Sequence, residues 1–200
     1  MTRFLLFLCA MLTLPGCTLP GFELRTVQIA LVAPFSGSAP RDGGRWLIAA
    51  KMAVEEWNKA HGDSVYKIEL VASDQNEGDA VARRQGIDPK ILAVVGYSDA
   101  TILGPQRHIY ADAGVPLMPM VNIDGAVDGE RLLERPMPAS PDDAGEAFAA
   151  EYRRRWGESP NLQATTLYLG IKQILSAYEA AIAGGVPTRD GVWATLQTSQ

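Results

Sequence analysis

Few residues of this chain are equipped for chemistry. It has two cysteines and two histidines in 200 residues. Cys9 lies in an apolar N-terminal run, and Cys17 directly follows Leu14-Pro15-Gly16. If that run is removed, Cys17 is left alone and can form no internal disulfide, zinc cluster or CxxC redox centre. His61 stands beside Gly62 at the end of a helical pattern, where the helix dipole favours a cation. His108 lies among polar neighbours, and neither imidazole has a partner at metal-ligand spacing. No GxSxG nucleophile elbow is present. Gly37, Gly43 and Gly44 fall between an apolar run and a helical pattern, and Asp74 follows the next apolar run. That order imitates a dinucleotide site. The GxGxxG spacing is absent, however, and Arg41-Asp42 interrupts the glycines. The acid pairs Glu55-Glu56 and Asp142-Asp143 suit solvated faces or helix N-termini, and Arg153 to Arg155 suit a helix C-terminus or a partner surface. No catalytic set emerges, an enzyme is the weakest reading, and neither a metal nor a cofactor is expected.

Composition narrows the classes further. The chain carries 18 basic and 23 acidic residues, a net charge of −5, without the basic stripe of a nucleic-acid binder. At 47% hydrophobic and 20% charged residues it is globular in make-up. Arg3 and the apolar stretch Phe4–Leu14, too short to span a bilayer, read as an export signal over residues 1–16. The small residues before Cys17 resemble the lipobox of bacterial lipoproteins. That resemblance implies lipidation of Cys17 and a cell-envelope location, anchored to a bacterial membrane and facing the periplasm or exterior. Residues 17–26 read as a tether, and 27–200 suit one medium-sized domain with its own core.

Any site must be positioned by the elements of that domain. Apolar runs at Val27–Val32, Tyr66–Val71, Ile91–Val95 and Val115–Val121 have strand length. Between them, 44–60 and 79–85 have helical periodicity, and a third helix capped by Ser98 or Asp99 ends near Gly114. The alternation predicts a three-layer, Rossmann-like α/β fold: a parallel sheet of four to five strands with helices on both faces. Ligands in such folds bind beyond the C-terminal ends of the strands. Pro116 predicts an irregular start or an edge position for the fourth strand. The stretch 123–140 is rich in Gly, Pro and charge and reads as a long connection. Helices return over 142–156, 163–183 and from Thr188 onward.

Several of these segments together resemble a known family. Ile29-Ala-Leu-Val-Ala-Pro-Phe-Ser-Gly37, Ala53-Val-Glu-Glu-Trp-Asn58 and Asp74 are similar to the start of type I periplasmic binding proteins, in the leucine/isoleucine/valine-binding branch. Asp88-Pro-Lys-Ile-Leu-Ala-Val-Val-Gly96 and Ile109-Tyr-Ala-Asp-Ala-Gly-Val-Pro116 extend the similarity, as do Phe148–Tyr152, Gly157–Pro160 and Ala164–Tyr168. The resemblance implies the substrate-binding component of an amino-acid ABC transporter. The partners it implies are a small amino acid or amide and an ABC permease. It places ligand contacts in the loops Tyr97–Thr101 and Met120–Ile123, with Pro34–Gly43 on the cleft rim. The candidates are Ser36, Gly37, Ser98, Asp99, Ala100, Thr101, Val121 and Asn122. Ser98 and Thr101 bring hydroxyls, whereas Ala100 occupies a position that bears one in the family. Helix capping is an equal alternative for Ser98 and Asp99. Family members have two lobes and roughly twice this length. Here the connection 123–140 stands where the second lobe is expected, so a single lobe is implied. A homodimer that supplies the other lobe in trans, and a non-transport sensing or interaction module, both stay open.

Overall fold

A computed structural model describes residues 25–198. The signal segment 1–16, Cys17 and most of the tether lie outside these residues. Four parallel strands form one sheet: β1 (Arg25–Ala33), β2 (Tyr66–Asp74), β3 (Ile91–Gly96) and β4 (Leu117–Pro119), in the order β2-β1-β3-β4. The central strands β1 and β3 are buried on both faces, which explains their unbroken apolar runs. Alternate residues point to opposite faces, so Ile29 and Leu31 join one apolar cluster while Ala30 and Val32 join another.

The larger cluster lies under α1 (Pro40–Ala60), α5 (Glu146–Trp156), α6 (Leu162–Ala183) and α7 (Arg189–Thr198). Within it Phe148 stacks on Tyr168 with ring centroids 4.1 Å apart, a geometry that adds about 0.5–1.5 kcal/mol to simple burial. The smaller cluster lies under α2 (Asp79–Ile87), α3 (Ala100–Leu103) and α4 (Arg107–Asp112). The expected three-layer α/β fold is therefore present, and α5 and α6 both pack on the same layer. The free edge of β2 is partly closed by Asn58 of α1. Its amide donates to the Ile68 carbonyl at 2.8 Å and accepts from the Ile68 N–H at 2.9 Å.

Three expectations need correction. Helix α1 begins at Pro40, four residues before the expected Gly44, so Gly43 lies in its first turn and not in a loop. Pro is suited to a first helical position because its missing N–H would be unpaired there anyway. A Cβ at Gly43 would sit 2.6 Å from the Pro34 carbonyl oxygen, so this glycine serves close packing. The fourth strand is only three residues long and lies at an edge, as Pro116 suggested. The helix expected from 142 is divided. Ser140 and Asp143 form a capping box on a short 3-10 turn, and Gly145, at φ +89°, redirects the chain into α5.

The connection 123–140 is better anchored than its composition suggests. Leu117 N–H donates to Arg131 O at 2.9 Å, and Leu133 N–H donates to Leu117 O at 2.8 Å. A single parallel bridge between Leu117 and Leu132 thus extends the sheet beside β4. Leu133 is buried in the larger cluster. Arg107 and Glu130 form a buried bidentate pair, with Nε–Oε1 at 2.7 Å and Nη2–Oε2 at 2.5 Å. Arg107 also donates to the carbonyls of Asp124 at 3.0 Å and Gly125 at 2.9 Å.

Candidate functional site

The C-terminal ends of β1, β2 and β3 open into a polar cleft of about 510 Å³. Its shape begins at Gly96, where a Cβ would lie 1.9 Å from the Val32 carbonyl oxygen. Only glycine fits there, because β3 runs against β1 up to its last residue. The next residue, Tyr97, has φ +60° and is the one non-glycine residue with positive φ among the described residues. Such a conformation costs on the order of 1–3 kcal/mol. The buried Tyr97 side chain secures it. Its hydroxyl lies 2.6 Å from Gln106 Oε1 and 2.8 Å from the Tyr110 hydroxyl, which donates to Gln85 Oε1 at 2.8 Å. Burial pushes the Tyr97 pKa up to about 12. The strained turn carries Ser98 and Asp99 onto the cleft wall.

The side chains behind this wall are tied to one another. Gln75, at the end of β2, is 5% exposed. Its Oε1 accepts from Ser98 N–H at 2.9 Å and Ser98 Oγ at 3.1 Å. Asn76 Nδ2 donates to Ser36 O at 3.2 Å, Ser36 Oγ at 3.1 Å and Asp74 Oδ1 at 3.2 Å, joining the loops after β1 and β2. Burial disfavours the Asp74 carboxylate, but hydrogen bonds from Ser36, Asn76 and the Phe35 N–H outweigh it and hold its pKa below the ordinary value. Asp99 accepts from Thr101 Oγ1 at 2.7 Å and Thr101 N–H at 2.8 Å, capping α3. Those two bonds lower the Asp99 pKa as well. The cleft wall includes Asp42, which pairs with Arg45 at 3.0 Å, and contains no basic side chain.

The structure sorts the residues singled out from sequence into three groups. Ser36, Gly37, Ser98 and Asp99 meet at the polar cleft. Ala100 and Thr101 begin α3 beside it without lining it. Val121 and Asn122 border a different cavity of about 390 Å³ between the end of β4 and the connection. There Asn122 Oδ1 accepts from Arg135. Sequence reasoning missed Gln75, Asn76, Trp46 and Gln163, which also line the polar cleft. The signal for Gln75 and Asn76 was present: two amides directly after a strand, at the end of the sheet where ligands bind. The two histidines lie elsewhere. His61 stacks on Trp57 at 4.2 Å, and His108 borders a cavity between α2 and α4. Among the described residues no cluster of His, Cys, Asp or Glu could hold a metal ion.

No protein-family model matches the chain. Among curated proteins, it is 33% identical over 94 residues to the leucine-, isoleucine-, valine-, threonine- and alanine-binding protein of Pseudomonas aeruginosa, a match covering 45% of this chain and 25% of that protein. It is 31% identical over 96 residues to an amino acid binding protein of the same organism, covering 46% of this chain and 26% of the relative. Among solved structures, the branched-chain amino acid transporter substrate-binding protein LivJ of Streptococcus pneumoniae, in complex with isoleucine, superposes with a TM-score of 0.64. That superposition has 14% identity and covers 86% of this chain and 88% of the other.

The resemblance to branched-chain amino acid-binding proteins holds. The chain shares the α/β fold of that solved substrate-binding protein. The matched sequence is only about a quarter of each curated relative's length. These relatives are named for binding and not for catalysis. No helix among the described residues is long and apolar enough to cross a membrane.

Proposed function

We propose that this chain is a solute-binding-like lipoprotein of the bacterial cell envelope. In this reading it is anchored through Cys17 and descends from the substrate-binding component of an amino-acid ABC transporter. The observation that carries the reading is the polar cleft at the C-terminal ends of β1, β2 and β3, where folds of this kind bind small ligands. The ligand class is a small amino acid or amide, and an ABC permease is the partner that the relationship suggests. Ser36, Gly37, Ser98 and Asp99 are the residues proposed to face the ligand. The connection at 123–140 takes the place of a second lobe, so the cleft stays open to water and the reading does not extend to transport by the chain alone.

Hydrogen bonds exchanged with water contribute only about 0.5–1.5 kcal/mol net each. Two or three of them hold a zwitterion no better than in the millimolar range, about −4 kcal/mol. Calorimetry on the purified full chain with leucine, isoleucine and valine should therefore give millimolar or undetectable binding. A micromolar constant at one ligand per chain would refute the open cleft. The same constant at one ligand per two chains would indicate a homodimer with a lobe recruited in trans. The anchor has its own test: Cys17→Ser should abolish metabolic labelling with fatty acid, and unchanged labelling would remove the lipoprotein claim.

A second reading, a sensing or interaction module outside transport, is favoured by one feature. The buried Arg107–Glu130 pair makes the connection a built part of the lobe.

A further inference from the structure

Gln75 lines the cleft with one end of its amide bonded to the protein. Its amide orientation follows from its partner. The Ser98 backbone N–H can only donate, so the atom 2.9 Å from it must be Oε1. The other end of the amide, Nε2, then has no hydrogen-bond partner among the described residues. It is also not one of the sealed unpaired atoms, which are the indole nitrogens of Trp46, Trp57 and Trp156, Gln85 Nε2 and the Tyr178 hydroxyl. Gln75 is 95% buried, yet it borders the cleft. A buried amide with one end clamped and the other unpaired at a cavity is a preformed donor.

We propose that Gln75 reads the ligand. Its Nε2 donates to an acceptor oxygen, a carboxylate or carbonyl, of the molecule held in the cleft. Ser98, proposed above to face the ligand, then acts through Gln75 as a positioning residue, because its N–H and hydroxyl are both directed at the amide oxygen. With Asp42 and Asp99 on the same wall and no basic side chain there, the cleft favours a ligand that brings its own amine. The inference rests on the amino-acid reading above and deepens it.

The test is a titration of the 15N-labelled full chain in detergent, following the Gln75 side-chain amide by NMR. Three probes separate the chemistry: valine, its C-terminal amide, and isobutylamine, which has no acceptor oxygen. Millimolar valine should shift the Gln75 NH2 signals, and isobutylamine should not. A response to valinamide would assign a carbonyl as sufficient, and its absence would assign the carboxylate. Gln75→Glu keeps the acceptor for Ser98 and removes the donor. It should weaken valine binding at least about three- to tenfold, the worth of one hydrogen bond, because the new carboxyl group also faces the ligand's own carboxylate. The backbone signal of Ser98 reports whether the loop stays in place in that variant. If other cleft amides shift with valine while the Gln75 amide stays still and Gln75→Glu binds as well as wild type, the Gln75 assignment is overturned and the amino-acid reading stands. If no cleft signal responds to any probe, both fail.

Discussion

The two ends of the sheet solve the same problem in opposite ways. At β1, β2 and β3 the chain leaves each strand into short loops tied by side-chain amides and hydroxyls, and the Gln75 Nε2 is left without a partner beside the cleft. At β4 the chain leaves into a long connection, and the polar groups there close on one another. Arg107 and Glu130, with side chains 8% and 4% exposed, satisfy each other, and Arg107 takes two further carbonyls. Asn122 is likewise engaged by Arg135. Polar groups left open at a cavity are available to a ligand, whereas polar groups that are mutually satisfied hold a structure. In the proposed reading, ligand recognition belongs to the first three strands, while the polar groups at the fourth hold the connection in place.

The most damaging way to break the β4 side is to remove one partner of its ion pair. Glu130→Ala leaves the Arg107 guanidinium buried without its carboxylate. Such a change costs about 3–5 kcal/mol, whereas replacing both partners by apolar residues of similar volume is often close to neutral. Urea denaturation should show a large drop in midpoint for Glu130→Ala, with much of it restored in Arg107→Met/Glu130→Leu. A single variant as stable as wild type would mean that the connection is held by its backbone bonds alone. The polar-cleft wall holds no buried ion pair among the described residues, so no single truncation there leaves a buried charge unpaired.

The same contrast explains what could be read without coordinates. The sheet and its helices were legible because β1 and β3 are covered on both faces and so write continuous apolar runs, while α5 and α6 write clear 3.6-residue stripes. The start of α1 was misplaced because Pro40, Gly43 and Gly44 are loop-formers by propensity. Here Pro40 sits where a helix tolerates proline, and Gly43 is required by the nearby Pro34 carbonyl. The order in the connection was hidden because a charged pair 23 residues apart anchors it, and no local pattern encodes such a contact. The cleft was half legible. Ser36, Gly37, Ser98 and Asp99 came from the family resemblance, and they lie in loops after strand ends, where folds of this kind bind ligands. Val121 and Asn122 were grouped with them by family resemblance, yet they border another cavity, because β4 stops at Pro119 and the connection turns back beside it. Gln75 was missed because its importance comes from which of its atoms is left over.

The smallest expected effect sharpens the cleft side. Asp74 gathers Asn76 N–H at 3.0 Å, Asn76 Nδ2 and Ser36, and so fixes the loops after β1 and β2 relative to each other. Its folded-state pKa lies below the ordinary carboxylate value of 3.8. A carboxylate with a depressed pKa adds stability that is present above its unfolded pKa and is lost as pH falls through its folded pKa. Asp74→Asn keeps one acceptor oxygen and cannot ionise. At neutral pH the variant should be less stable by no more than about 1 kcal/mol, since the group is partly solvated and its interactions are screened. That difference should hold down to about pH 5 and shrink on further acidification, as wild-type Asp74 takes up its proton. Denaturation curves of both proteins across this range would check it. A gap that widened toward acid would mean that the protonated carboxyl is the better-bound form, and the loops after β1 and β2 would then be held by neutral hydrogen bonds.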